Sequence, residues 1–168
     1  HFFRNCMDEF AISANMALAV VAALSLGVYE LIEKHADQHL VDRYAELVAS
    51  GQWCGTMCLT EPHCGTDLGM IKTKAISNDD GTYSITGTKI FITAGEHDMA
   101  ENIVHMVLAK LPNSPEGSRG ISLFLVPKYL DEDSGISTDK NGISVSGIEE
   151  KMGLHGSPTC VLNFDLSK

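Results

Sequence analysis

The sequence predicts an α+β fold in which two N-terminal helices are followed by an antiparallel β-barrel. Two observations carry this. The spacing of apolar residues changes once, near Gly51, from the 3.6-residue period of a helix to the two-residue period of a strand. The runs after that point are short, and no helical stretch separates them. This excludes the crossovers of a parallel βαβ sheet and leaves a barrel or sandwich. At 168 residues the chain has the length of one domain, or of a piece of something larger. Its 44% hydrophobic and 20% charged content excludes a disordered or low-complexity chain.

The first helix is expected over 7–35, ending where Glu30, Glu33 and Lys34 interrupt the apolar run. Within it, Phe10 to Tyr29 is free of charge over twenty residues, nominally enough to span a bilayer. Six of those residues are alanine, Asn15 and Gly27 fall inside the run, and acidic residues flank it on both sides. A buried, alanine-rich helix is therefore expected rather than a membrane span. A signal peptide fits poorly, because Arg4 is the one basic residue near the start.

A second helix is expected over 37–50, with Leu40, Val41, Tyr44, Leu47 and Val48 on one stripe, Asp37 as N-cap and Gly51 just past the C-terminus. Two helices cannot bury this much apolar surface between them. Residues 1–52 therefore read as the end of a larger helical domain.

Strands are expected at 53–60, 70–77, 82–86, 88–93, 103–110, 120–126 and 158–166, each rich in Val, Ile, Thr, Tyr or Phe, or alternating. Turn chemistry separates them at Asn78-Asp79-Asp80-Gly81, Ala94-Gly95, the stretch from Pro112 to Gly117, and Asp133-Ser134-Gly135. There is no internal repeat.

Twelve basic against twenty-two acidic residues give a net charge of −10 with no basic run, which argues against a nucleic-acid or anionic-membrane partner. The five cysteines match no zinc spacing and are expected as free thiols of a reducing compartment, which places the protein in the cytoplasm. His63, His97, His105 and His155 are scattered, and no metal site is expected. Nucleophile-elbow and Rossmann glycine motifs are missing.

Two segments carry candidate chemistry. Residues 57–67, Met-Cys-Leu-Thr-Glu-Pro-His-Cys-Gly-Thr-Asp, run from a strand into a loop able to present backbone N–H groups and hydroxyls to an anion. An ordinary strand-to-loop turn has the same composition. In residues 86–96, Phe91 alternates with Lys89 and Thr93, which puts an aromatic ring and two polar groups on one strand face suited to a planar heterocycle. A half-buried strand would read the same way.

Together the segments resemble the flavin-dependent acyl-CoA dehydrogenases. Thr60-Glu61-Pro62-His63-Cys64-Gly65-Thr66-Asp67 is similar to that family's Thr-Glu-Pro-x-x-Gly-Ser-Asp signature. Tyr83-Ser84-Ile85-Thr86-Gly87-Thr88-Lys89-Ile90-Phe91-Ile92-Thr93 is similar to its Tyr-x-Ile-x-Gly-x-Lys-x-[Trp/Phe]-Ile-Thr signature. Lys151-Met152-Gly153-Leu154 through Ser157-Pro158-Thr159 resembles the turn before the last strand of its middle domain. The spellings of residues 63–69 and 94–98 resemble the large-enzyme branch that includes 3-methylmercaptopropionyl-CoA dehydrogenases.

The resemblance implies residues 1–52 as the end of the N-terminal helical domain, 53–168 as the middle β-barrel, and a C-terminal helical bundle outside this chain. It implies FAD bound by Met57, Leu59, Thr60, Gly65, Thr66, Phe91 and Thr93, with Thr66 also near the acyl-CoA substrate. The reaction implied is α,β-dehydrogenation of an acyl-CoA thioester, with the catalytic Glu on the bundle. No catalytic residue is therefore assigned in this chain, and the piece alone is expected to be inactive.

An electron-transfer flavoprotein or similar acceptor and a homo-oligomer are implied as partners. Met57 and Phe91 stand where many members carry Tyr and Trp, at the cost of a hydroxyl and an indole N–H. Two rivals are an acyl-CoA oxidase, separable by oxygen consumption, and a non-enzymatic β-barrel binding module, which predicts no flavin.

Overall fold

The computed structural model describes residues 2–132 and 135–168. Helix α1 spans Phe2–His35 and α2 spans Gln38–Ala49. The backbone of α1 leaves helical geometry at Asn15 (φ −157°, ψ 93°), so α1 is two helices in series. The sequence explains the break: Asn15 Oδ1 accepts the N–H of Leu18 at 3.1 Å, the capping bond that starts a new helix. Asp37 occupies the N-cap of α2 with extended backbone, but its carbonyl rather than its side chain takes the first N–H groups, from Leu40 and Val41. Gly51, with φ +78°, closes the C-terminus through its N–H to the Val48 carbonyl.

The burial expected of α1 is found in its second half only. Val21, Ser25, Val28 and Ile32 form the buried stripe, whereas Phe2, Phe3, Met7, Phe10, Met16 and Leu18 are exposed. The described residues offer α1 one sheet face and α2, which is too little to cover a helix apolar all round. Its length and hydropathy would also suffice to cross a membrane. Where α1 meets the sheet the approach is close. A Cβ on Gly55 would lie 2.6 Å from the Val28 Cβ, and the Gly55 N–H donates to Ser25 Oγ at 3.0 Å. Glycine at 55 is what lets the helix seat on the strand.

Among the described residues there are nine strands: β1 (Trp53–Cys58), β2 (Lys74–Ser77), β3 (Tyr83–Thr93), β4 (Asn102–Lys110), β5 (Ile121–Pro127), β6 (Tyr129–Glu132), β7 (Gly135–Lys140), β8 (Ile143–Ile148) and β9 (Thr159–Ser167). Seven build a curled half-barrel sheet in the order β1-β4-β2-β3-β9-β8, with β5 on the other edge of β4; β6 and β7 pair separately. The sheet is mixed, which corrects the antiparallel expectation. β1 runs parallel to β4 from Trp53↔Asn102 to Cys58↔Val107, and β2 meets β4 in parallel at Lys74↔Lys110. Period-two alternation reports which face a residue takes but not the direction of its partner, and a connection as long as the one from β1 to β4 allows either.

Other boundaries shift for identifiable reasons. The runs 82–86 and 88–93 are one strand, β3, continuous through Gly87, where a Cβ would sit 2.4 Å from Thr73 Oγ1. The run 70–77 is strand only from Lys74, because the N–H groups of Lys72 and Thr73 are taken by the Glu61 carboxylate. The sequence expectation omits β6 and β7, which are short and carry polar residues, and β8, whose Ile-Ser-Val-Ser alternation does carry a strand signal. Of the expected turn 133–135, Asp133 and Ser134 lie outside the described residues, and Gly135 opens β7.

Two cores result. One lies within the sheet around Cys58, Ile85, Val107, Leu162 and Phe164. The other joins the helices to β1 and β4 through Val28, Ile32, Tyr44, Val48, Trp53, Val104 and Met106. The five cysteines are free thiols.

Candidate functional site

The two candidate segments meet, and a buried ion pair joins them. Glu61 follows β1 by three residues, Lys89 lies mid-β3, and both side chains are almost wholly enclosed (3% and 0% exposed). Lys89 Nζ donates to Glu61 Oε1 at 2.9 Å and to the Leu59 carbonyl at 3.1 Å. Beside it, the Ile90 N–H donates to the Thr60 carbonyl at 2.9 Å. Glu61 takes three further bonds: from Lys72 N–H (2.7 Å), Thr73 N–H (3.1 Å) and Thr73 Oγ1 (2.6 Å). Burial pushes its carboxyl pKa up, but the Thr73 hydroxyl, the Lys72 N–H and Lys89 outweigh this and hold it below the usual carboxylate range. Glu61 is thus an ionised brace for the loop, its basicity lowered by these four bonds.

The clamp alters the face expected of β3. Lys89 and Phe91 do not share one. The pairing with β9 slips between Lys89 and Ile92, and Phe91 takes a left-handed backbone (φ 59°). This bulge turns Lys89 into the interior and Phe91 outward, 47% exposed. No periodicity announces a bulge at a non-glycine residue, so the sequence alone gave no signal of it. Of the other predicted residues, Met57, Leu59, Thr60 and Thr93 are partly buried, and Gly65 and Thr66 are exposed on the loop. Thr60 is brought beside β3 by the Ile90 bond.

The third segment docks here too. Thr159 pairs with Thr93, the Pro158 carbonyl accepts the Gly95 N–H at 3.4 Å, and Lys151 Nζ lies 5.2 Å from the Phe91 ring centroid. The result is an exposed aromatic ring and a cation, with the hydroxyls of Thr60 and Thr93 on the adjoining strand ends.

A second charge cluster holds the segment after β3. Glu96 accepts from Lys128 Nζ and, at 2.7 Å, from Lys140 Nζ; Lys128 also reaches the His97 carbonyl. Sequence reasoning missed both lysines, which lie far along the chain from Glu96. Burial and Lys128 push the His97 pKa down. Deeper in the sheet, His105 is fully buried with its pKa pushed down to about 3 by desolvation, so it is neutral; Thr56 Oγ1 bonds its Nδ1 at 2.7 Å. Burial pushes the Cys58 thiol up to about 12. Neither group faces solvent, and both read as core.

A groove of about 610 Å³ between α2 and β5, lined among others by Leu40, Tyr44, Phe124 and Val126, reaches Tyr83 and Ile85 at the start of the second motif but none of the candidate flavin-binding residues.

Comparison with known proteins decides what this arrangement belongs to. Residues 56–166 match the family model "Acyl-CoA dehydrogenase, middle domain". The chain belongs to the acyl-CoA dehydrogenase family. It is similar to 3-methylmercaptopropionyl-CoA dehydrogenase of Ruegeria pomeroyi, 43% identical over 94% of this chain and 27% of the relative. Among solved structures it is similar to butyryl-CoA dehydrogenase of Megasphaera elsdenii (TM-score 0.69, 29% identity, 91% of this chain and 36% of that one). It is also similar to an acyl-CoA dehydrogenase of Bacillus anthracis complexed with FAD (TM-score 0.60, 30% identity, 79% of this chain and 20% of that one). The chain spans about a quarter of the length of the curated relatives it matches. The three resemblances read from sequence thus fall, in this acyl-CoA dehydrogenase segment, on residues that the fold brings together.

Proposed function

We propose that this chain is the segment of an FAD-dependent acyl-CoA dehydrogenase that shapes one side of its flavin site. Residues 1–52 are then the end of its N-terminal helical domain and 53–168 its middle domain. The observation that carries the reading is the Lys89–Glu61 clamp. It fixes the Thr60 loop against β3 and leaves Phe91, an aromatic ring that a soluble surface does not need, turned outward at the junction. A ring flanked by strand-end hydroxyls fits a planar heterocycle with a polar edge.

FAD, when bound, would supply the hydride acceptor for dehydrogenation of an acyl-CoA thioester, in which loss of the α-proton and the β-hydride together gives the 2-enoyl-CoA. The residues of this chain bind and orient. Phe91 would stack on the isoalloxazine, Thr93 would hydrogen-bond its polar edge, and Met57, Leu59 and Thr60 would line it through backbone and hydroxyl groups. Gly65 and Thr66 hold the cofactor along the loop, with Thr66 facing the substrate. The α-proton is removed by a carboxylate outside this chain, since Glu61 is ionised but has its oxygens turned to Lys72, Thr73 and Lys89. Electrons pass to an electron-transfer flavoprotein or similar acceptor.

The protein acts in the cytoplasm as a homo-oligomer, and the exposed apolar half of α1 packs within that larger molecule rather than crossing a membrane. The test is the visible spectrum of the whole natural protein under anaerobic conditions. A bound flavin bleached by acyl-CoA thioesters supports the proposal. A colourless protein that takes up no added FAD overturns it.

A further inference from the structure

The loop that follows β1 carries a second possibility, independent of flavin. We propose that Glu61, His63 and Cys64 form a site for a borderline-soft divalent cation, best matched by zinc. The sequence spacing Glu-x-His-Cys is no zinc pattern, and it is the fold that closes it. Glu61 and Cys64 pair across a tight turn, Glu61 N–H to the Cys64 carbonyl at 2.9 Å and Cys64 N–H to the Glu61 carbonyl at 3.1 Å. This brings one oxygen, one nitrogen and one sulfur donor within 4.8 Å of one another.

Donors bound to tetrahedral zinc at about 2.0–2.3 Å stand roughly 3.3–3.6 Å apart. His63 Nε2 already lies 3.6 Å from Glu61 Oε2. The Cys64 sulfur, within 4.8 Å of the other donors, closes inward to complete the face. One nitrogen, one carboxylate and one thiolate are each ligand types that zinc takes, and three protein ligands leave a fourth position to water.

The surroundings supply what a metal ligand requires. Glu61 is oriented before any cation arrives: Oε1 is held by Thr73 and Lys89, while Oε2 takes the Lys72 N–H at 2.7 Å and keeps a lone pair. Cys64 is buried (8% exposed), and the His63 side chain is 32% exposed, giving an entry path. Two features oppose binding. Nε2 must give up its 2.9 Å bond to the Met70 carbonyl, and the Lys89 ammonium lies on the far oxygen of Glu61. Ionisation of the Cys64 thiol on binding adds the negative charge that offsets Lys89 and couples uptake to release of a proton.

The experiment is titration of the whole, untagged, chelator-treated protein with zinc chloride by calorimetry, repeated with cobalt(II) to read coordination from its visible bands. Expected are one saturable equivalent of zinc and the intense bands of tetrahedral cobalt carrying a thiolate. H63Q and C64S should each weaken zinc binding at least tenfold, while H39Q, a surface histidine outside the cluster, should bind as the parent does. His63 is on the surface, so H63Q tests the site even if C64S folds poorly, and circular dichroism checks each variant. No saturable zinc, or binding that H63Q leaves unchanged, overturns the proposal. Flavin content is read separately by absorbance, so failure here leaves the dehydrogenase reading standing, and the converse holds.

Discussion

Replacing Lys89 by Met tests whether the clamp between the two motifs holds the fold as well as the site. The variant keeps the length and apolar stem of the side chain and removes the charge. Glu61 is then left buried and ionised with three donors in place of four: Lys72 N–H, Thr73 N–H and Thr73 Oγ1. Removing one partner of a buried pair costs about 3–5 kcal/mol. The three surviving bonds place K89M at the low end, about 3 kcal/mol. With a urea dependence of about 2 kcal/mol/M, the midpoint should fall by roughly 1.5 M.

The assay needs no label. Trp53, the one tryptophan of this chain, is 1% exposed in the helix-facing core, and its fluorescence reports unfolding of that core. The double variant E61Q/K89M should be less damaged than the two single losses added together, because no buried charge is then stranded. A loss below about 1 kcal/mol in K89M is the range of exposed ion pairs and would refute the reasoning. The pH dependence has a definite sign. The Glu61 pKa is lowered on folding, so its stabilisation is present above the unfolded carboxyl value and is lost as pH falls through the folded one.

The remaining predictions concern other parts of the molecule. His105 and His97 both have lowered pKa values, so stability should fall as pH drops below about 6.5, with a slope near 1.4 kcal/mol per pH unit for a fully neutral buried histidine. H105Q should flatten that slope in urea melts taken between pH 6.5 and 5, and an unchanged slope would show that His105 is not the source. G87A should cost roughly 1–3 kcal/mol by overpacking, since its Cβ would meet Thr73 at 2.4 Å and 2.9 Å, and it should weaken FAD retention because Thr73 braces Glu61. A thermal melt and flavin absorbance read the two effects. Iodoacetamide should modify the partly exposed Cys6 and Cys54 well before Cys58, whose thiol is buried and pushed up to about 12; equal labelling rates by mass spectrometry would contradict the fold.

What was legible in the sequence follows from what periodicity encodes. The helix-to-strand change, Gly51 as helix stop and the strands at β1, β4, β5 and β9 rest on local chemistry, and the structure has them within a few residues. Strand direction is not local, so the parallel pairing of β1 with β4 was invisible. So was the bulge that separates Lys89 from Phe91, because the cause of the slip lies on β9 and on the loop that Lys89 reaches. The motifs named the candidate residues, yet the ion pair that unites them, and the lysines around Glu96, join positions roughly thirty or more apart in the chain.

That separation also bears on the order of events during synthesis. The bond from Thr88 Oγ1 to Asn163 spans 75 residues, and β3 completes its pairing only with β9, the last strand of this chain. Until those residues leave the ribosome, β3 has an open edge. Hairpins such as β4–β5 close early, whereas the central ladder pays its loop-closure entropy late and all at once. Nascent chains halted before Thr159 should therefore be much more prone to aggregation and protease attack than chains extended past Lys168.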